Sequence, residues 1–147
     1  MTAFTDFAEN RIIDWLMRGQ AAPALPANWS FGLLTAVPAD DGTGLAEVAG
    51  GSYARASLAR SLANFAGTQA AGSTIASSGA TGVTSNNVDI SFPSPTANWG
   101  TVVAIGIFDA GAGGNLWAYG ALAVPKVIAA GDSPPRFPAG TFAFTLA

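Results

Sequence analysis

Histidine and cysteine are absent from the 147 residues, and charged side chains make up only 10% of them. Without histidine there is no side chain that ordinarily titrates near neutral pH, no imidazole metal ligand and no Ser-His-Asp or Cys-His arrangement. Without cysteine there are neither disulfides nor thiolate metal centres, and the redox compartment leaves no mark. An ordinary soluble domain carries about 25% charged residues. The basic residues here are six, Arg11, Arg18, Arg55, Arg60, Lys126 and Arg136, and they are scattered. A duplex-binding surface needs clustered Lys or Arg, so nucleic acid is not expected as a partner.

A long hydrophobic run is also missing. Residues 61–88 are uncharged, but they are rich in Gly, Ser, Thr and Asn and could not cross a bilayer. The first twenty residues carry Asp6, Glu9, Arg11, Asp14 and Arg18, which interrupt the apolar stretch a secretory signal needs. The expectation is a soluble chain made in the cytoplasm, with no membrane partner.

What the chain does have is hydrophobic residues at half of its positions, and enough length for one domain with its own core. With so few charges the surface must be built largely from Ala, Gly, Ser, Thr and Asn. Such a surface repels other copies weakly and suits a protein that lives among neighbours. That points to an assembly.

Residues 6–18 have helical spacing. Asp6 can cap, Glu9 follows three residues later, and Phe4, Ala8, Ile12, Trp15 and Leu16 recur on one face. Gly19 ends the helix, and Asp14 and Arg18 are placed for an i,i+4 pair. The helix packs either on its own domain or on another subunit. Pro23 and Pro26 make residues 21–28 a linker that neither a helix nor a central strand could include.

From Trp29 onward strands and turns take over. Strands are expected at 29–37, 53–62, 88–92, 101–108, 116–122, 126–129 and 141–146, each bounded by Gly, Pro, Asn or Asp. Residues 109–115 form a glycine-rich hairpin turn, and residues 64–87 a long surface loop or arm. The organisation expected is therefore an N-terminal helix over 1–20, a linker over 21–28, and a β-sandwich domain over 29–147. The fold class is mainly β, a sandwich for which a jelly roll is one arrangement, with a single N-terminal α-helix.

Candidates for chemistry are few. Gly50-Gly51-Ser52-Tyr53-Ala54 falls one residue short of a nucleophile elbow, and no histidine could deprotonate Ser52. Asp40, Asp41 and Glu47 share one loop and could offer oxygen ligands to Ca²⁺, but EF-hand spacing is absent and a solvated turn explains them. Asp89 and Asp109 are a glycosidase pair by elimination only, at strand ends where Asp commonly makes turns. The glycines 42, 44, 111, 113 and 114 follow no phosphate-cradling order. Trp15, Trp29, Trp99 and Trp117 could stack on sugars, although core or interface anchoring is the more ordinary use. No catalytic residue, metal or cofactor is expected. Phe4, Trp15, Leu16 and Trp117 are the candidate interface residues.

Several blocks together carry a resemblance: Trp29-Ser-Phe-Gly-Leu-Leu-Thr-Ala-Val-Pro, Glu47-Val-Ala-Gly-Gly-Ser-Tyr-Ala-Arg55, Ile90-Ser-Phe-Pro93, Asn98-Trp-Gly-Thr-Val, Ile105-Gly-Ile-Phe-Asp109, Gly114-Asn-Leu-Trp117, Tyr119-Gly-Ala-Leu122, Gly131-Asp132 and Phe137-Pro-Ala-Gly140. In order and spacing they resemble small structural proteins of tailed bacteriophages, which carry head-decoration or tail-fibre labels. The resemblance implies a non-catalytic virion component made in the host cytoplasm. No heptads or repeats suggest a long fibre, so the leading expectation is a capsid decoration or cement protein on the outer head surface. Its expected partners are the major capsid protein and its own copies, with a trimer favoured. The alternative is a tail-fibre or baseplate module that binds host glycans, and a small glycan hydrolase acting through Asp109 comes last.

Overall fold

The structure, a computed structural model, describes residues 3–146. Five antiparallel strands form the main sheet: β1 (Ala3–Phe4), β2 (Asn28–Leu34), β3 (Ala56–Ala59), β6 (Gly100–Phe108) and β7 (Leu116–Ile128), in the spatial order β1-β7-β6-β2-β3. The one helix, α1 (Asp6–Met17), follows β1. Two ribbons complete the chain, β4 (Val83–Ser85) paired with β9 (Ala143–Thr145), and β5 (Ile90–Ser91) paired with β8 (Arg136–Phe137).

The centre of the sheet reads as a continuous apolar run because both of its faces are covered. On one face Phe31, Leu33, Ile105, Ile107 and Ala118 pack against the ribbon side, which contributes Ile90, Phe92 and Phe142 with the half-buried Phe137 and Phe144. Aromatic edges fix the seam: Phe31 meets Phe142 edge to face at 5.3 Å, and Phe4 meets Phe144 at 5.4 Å. The fold is thus mainly β and sandwich-like, with two short ribbons as its second layer. Strands of two or three residues cannot extend into a second broad sheet, so the eight-strand pattern of a jelly roll does not form among the described residues.

Some strands are shorter than the sequence suggests. The 53–62 run supplies only Ala56–Ala59 to the ladder, and the 88–92 run only Ile90–Ser91. The segments at 116–122 and 126–129 are a single strand, β7. Between the pairs Val102↔Lys126 and Ala104↔Ala121 the register jumps, leaving residues 122–125 opposite Val103 alone. This wide bulge accommodates Pro125, which has no N–H to give to a ladder. Residues 64–87 are a folded loop rather than a loose arm. Its ends close through Ala66 N–H to the Ser85 carbonyl (2.8 Å), and the Gln69 amide ties Ser73, Ala76 and Ser78 together inside it. Asn86, almost wholly buried, donates to the carbonyls of Val88, Phe137 and Pro138 and accepts from Phe142 N–H, pinning both ribbons at one residue.

The opposite face of the sheet is organised by a cation. Gly32 and Gly106 are direct partners across β2 and β6, and a Cβ on either would come within 2.8 Å of the Phe108 ring. The ring therefore rests where two side chains are missing. The Arg55 guanidinium covers it, 3.4 Å from the ring centroid. Glu47 grips the same guanidinium with both oxygens, at 2.8 and 2.7 Å. Arg55 also donates to the carbonyls of Ala110 and Gly113 in the hairpin turn. Tyr53 donates to Glu47 and accepts from Leu33 N–H, both at 2.8 Å. Burial, then Glu47, raises the Tyr53 phenol well above its usual pKa, so it stays a donor. Ahead of it Gly50, Gly51 and Ser52 all have left-handed φ, and the Gly51 carbonyl accepts from the Trp99 indole at 3.0 Å.

Arg55 has a side chain only 6% exposed, so changing it strands Glu47 and two carbonyls. Arg55→Met should cost about 3–5 kcal/mol, and Arg55→Lys, which cannot grip Glu47 with a planar fork, about 2–3 kcal/mol. A denaturant titration of each variant checks the order; equal stability of Arg55→Lys and the parent would contradict it. Gly106→Ala should cost about 1–3 kcal/mol by pushing the Phe108 ring off its seat.

Candidate functional site

The helix is docked by its first half and free along its second. Thr5 is its N-cap, but the hydroxyl donates to the Leu116 carbonyl at 2.6 Å instead of capping the helix, and its N–H bonds the Trp117 carbonyl at 3.0 Å. Asp6, expected as the cap, is the first helical residue, and its N–H bonds the Asp40 carbonyl. Ala8 is fully buried, Phe7 meets Trp117 edge to face at 5.5 Å, and Arg11 lies over Phe7. Ile13, Trp15, Leu16 and Met17 then stand in solvent, Met17 at 82% exposure. Gly19, with φ of 71°, reverses the chain, and residues 18–27 run on without regular structure. The Asp14–Arg18 pair forms at 2.9 Å on the surface, where it contributes little.

The four expected interface residues separate. Trp15 and Leu16 are exposed. Phe4 is half-buried against Phe144, and Trp117 is 5% exposed, wedged between Phe7 and Trp29. Trp117 is thus internal to this chain, because the helix covers it, and it offers no face for a sugar. Trp99 is buried as well. Sequence reasoning missed Ile13 and Met17, although five apolar residues in the six from Ile12 to Met17 exceed what one helix face can bury.

A second feature is an open apolar pocket of about 150 Å³, lined by Trp29, Phe31, Phe65, Phe142 and Phe144 with Thr84 at its polar edge. It lies between the main sheet and the β4–β9 ribbon, where short strands leave the seam unfilled. The spread of these aromatics along the chain hid it from the sequence. A third feature is the outer edge of β7, whose pairing with β1 covers only Ala118 and Tyr119. Val124 and Val127 are exposed beyond it.

The carboxylates do not converge. Asp40 accepts from the Tyr119 hydroxyl, Asp41 from Thr43, Glu47 from Arg55 and Tyr53, and Asp89 from Arg136. Hydrogen bonding to Asp40 pushes the Tyr119 phenol up to about 12. Among the described residues no three His, Cys, Asp or Glu side chains group as a metal site, and no helix is long and apolar enough to cross a membrane. Asp109 closes the hairpin turn: it accepts from Asn115 N–H (2.7 Å), the Asn115 amide (2.8 Å) and the Trp117 indole (3.1 Å). Burial works against its charge, but these donors outweigh burial and hold the carboxyl below the usual range.

A mainly β body braced by one buried ion pair, Arg55–Glu47, leaves a half-docked helix and an unfilled aromatic seam as exposed apolar surface of the kind other chains can cover. The family model described as podophage GP4 fiber I protein gp80 matches residues 3–145. The chain belongs to that family, and so to the structural proteins of tailed-phage virions. No curated protein matches it.

Since the folded pKa of Asp109 is depressed, its contribution is complete above the ordinary carboxylate pKa near 3.8 and fades as pH falls below that toward the folded value. Asp109→Asn sets an amide NH₂ against donors and should cost about 1–2 kcal/mol at pH 7. Melting curves from pH 7 to pH 3 should show the parent losing that margin at the acid end while the variant, lacking it throughout, changes less. Parallel curves would contradict the assignment.

Proposed function

We propose that the chain is a non-catalytic fibre component of a podophage virion, acting through contacts with neighbouring proteins and with its own copies. The observation that carries this is the match to a fibre protein family across 3–145, nearly the whole chain. That description backs the fibre alternative from the sequence ahead of the capsid-cement expectation. The surface supports it. Of the six basic residues, Arg55, Arg18 and Arg136 sit in ion pairs and Arg11 lies over Phe7, so no basic face is left to track a phosphate backbone. Asp109, the carboxylate a hydrolase would have used, is occupied as a turn brace. The exposed apolar residues of the helix end instead offer a surface that other chains can cover. A host-sugar platform at Trp117 drops out because that ring is interior.

Under this reading the partners are neighbouring virion proteins and further copies of this chain; seating on the major capsid protein belongs to the cement reading. Labelling of purified particles with antibody-bound gold discriminates the two. Gold confined to fibres is the expected pattern, and gold spread evenly over the head shell would overturn the proposal in favour of cement.

A further inference from the structure

The fold leaves one polar cleft whose charge is unanswered. The chain leaving β3 and the folded loop after it enclose an open cleft of about 430 Å³, lined by Arg60, Ser61, Leu62, Phe65, Ser77 and Thr84. Residues 48–88 contain Arg55 and Arg60 but no Asp or Glu. Arg55 is spent on Glu47, so Arg60 is the cation of this segment without a carboxylate among the described residues. The hydroxyls beside it are also unspent. Ser61 Oγ accepts from Asn64 N–H and Ser77 Oγ from Thr68 N–H, both at 3.2 Å, and among the described residues neither O–H is given to an acceptor. Thr84 differs, because its hydroxyl donates to the Ala66 carbonyl at 2.7 Å and keeps only its lone pairs. The backbone, in contrast, is engaged: Ala66 N–H bonds the Ser85 carbonyl, Gly67 N–H the Ser73 carbonyl and Phe65 N–H the Ser61 carbonyl, so a peptide finds no strand edge to join.

What the cleft offers is a guanidinium, two hydroxyl donors, one hydroxyl acceptor and an apolar wall of half-buried Phe65 and exposed Leu62. A sugar ring presents the complement, hydroxyls around its rim and C–H groups on its face. Charge decides which sugar. One guanidinium balances one negative charge, and its planar fork matches a carboxylate. A phosphate monoester carries about −1.5 to −2 at neutral pH and would leave charge unbalanced beside a single cation. We infer that the cleft binds an acidic saccharide, seating the carboxylate of a uronic-acid residue on Arg60, its ring against Phe65 and its hydroxyls on Ser61, Ser77 and Thr84. The Gln69 amide braces the loop from within, so little ordering opposes binding. The inference rests on the fibre reading only for its setting, a bacterial surface that displays such sugars. Binding is read on the purified chain, so its failure would leave the gold-labelling pattern untouched.

Titrating the full chain with a galacturonic-acid oligosaccharide, followed by NMR, should shift the amides of residues 60–67, 77 and 84. Arg60→Gln should weaken binding about ten- to a hundredfold, the loss expected for a charge-assisted hydrogen bond. Arg60→Lys, which keeps the charge but not the fork, should weaken it less. Lys126→Gln removes the other cation that has no carboxylate partner among the described residues, and it should change nothing. The Arg60 side chain is exposed and unpaired, so its variants should melt with the parent. An unshifted spectrum at millimolar oligosaccharide, or Arg60→Gln binding as the parent does, would overturn the inference. So would equal binding of the methyl-esterified oligosaccharide, of galactose 1-phosphate or of a polyglutamate peptide, which would show that the carboxylated sugar is not what the cleft reads.

Discussion

The guanidinium of Arg55 is the constraint on which the architecture turns. It sits on the Phe108 ring, holds Glu47 by two hydrogen bonds and reaches two carbonyls of the hairpin turn. The β2–β3 connection, the β6–β7 hairpin and the face of the central strands therefore share one anchor. A buried charge is costly unless it is paired and well hydrogen-bonded, and an ion pair, four hydrogen bonds and a ring meet that condition here. The two glycines beneath Phe108 follow from it, since the ring needs the space their side chains would fill.

With one face held by that anchor, the other face is free to be covered by short ribbons whose own pairing is slight. They stay in place because aromatic rings interlock with the sheet and because Asn86 ties both to one amide. Two-residue strands pack less completely than a full sheet, and the aromatic pocket is the gap that results. That gap thus arises where the second layer of the sandwich is thinnest.

Mainly β character, the single helix and its stop at Gly19 were legible in the sequence, because period and turn chemistry are local signals. Residues 53–55 were not: alternation suggested a strand, but Tyr53 and Arg55 turn inward to Glu47, a partner chosen by tertiary contact. Trp117 was misjudged for a related reason. An aromatic in a strand gives no sign of the helix that will cover it, and Phe7 lies 110 residues away in sequence. The blocks that most resembled a phage family, Gly50–Arg55 and Ile105–Asp109, prove to be the two halves of the Arg55 anchor, so the resemblance tracked a physical unit. The pocket had no local signature, since its walls come from five separate stretches of the chain, at residues 29–31, 65, 84, 107 and 142–144.

The bulge at residues 122–125 matters for a reason unrelated to the core. Strand edges invite pairing with other strands, and most proteins discourage this with a fringe of charges, which this chain scarcely has. Here the ladder of donors and acceptors along the outer strand is broken by a looped-out proline and followed by Lys126. Fusion with another strand through the backbone is thereby discouraged at this edge, and recognition there is left to side chains, which can be specific.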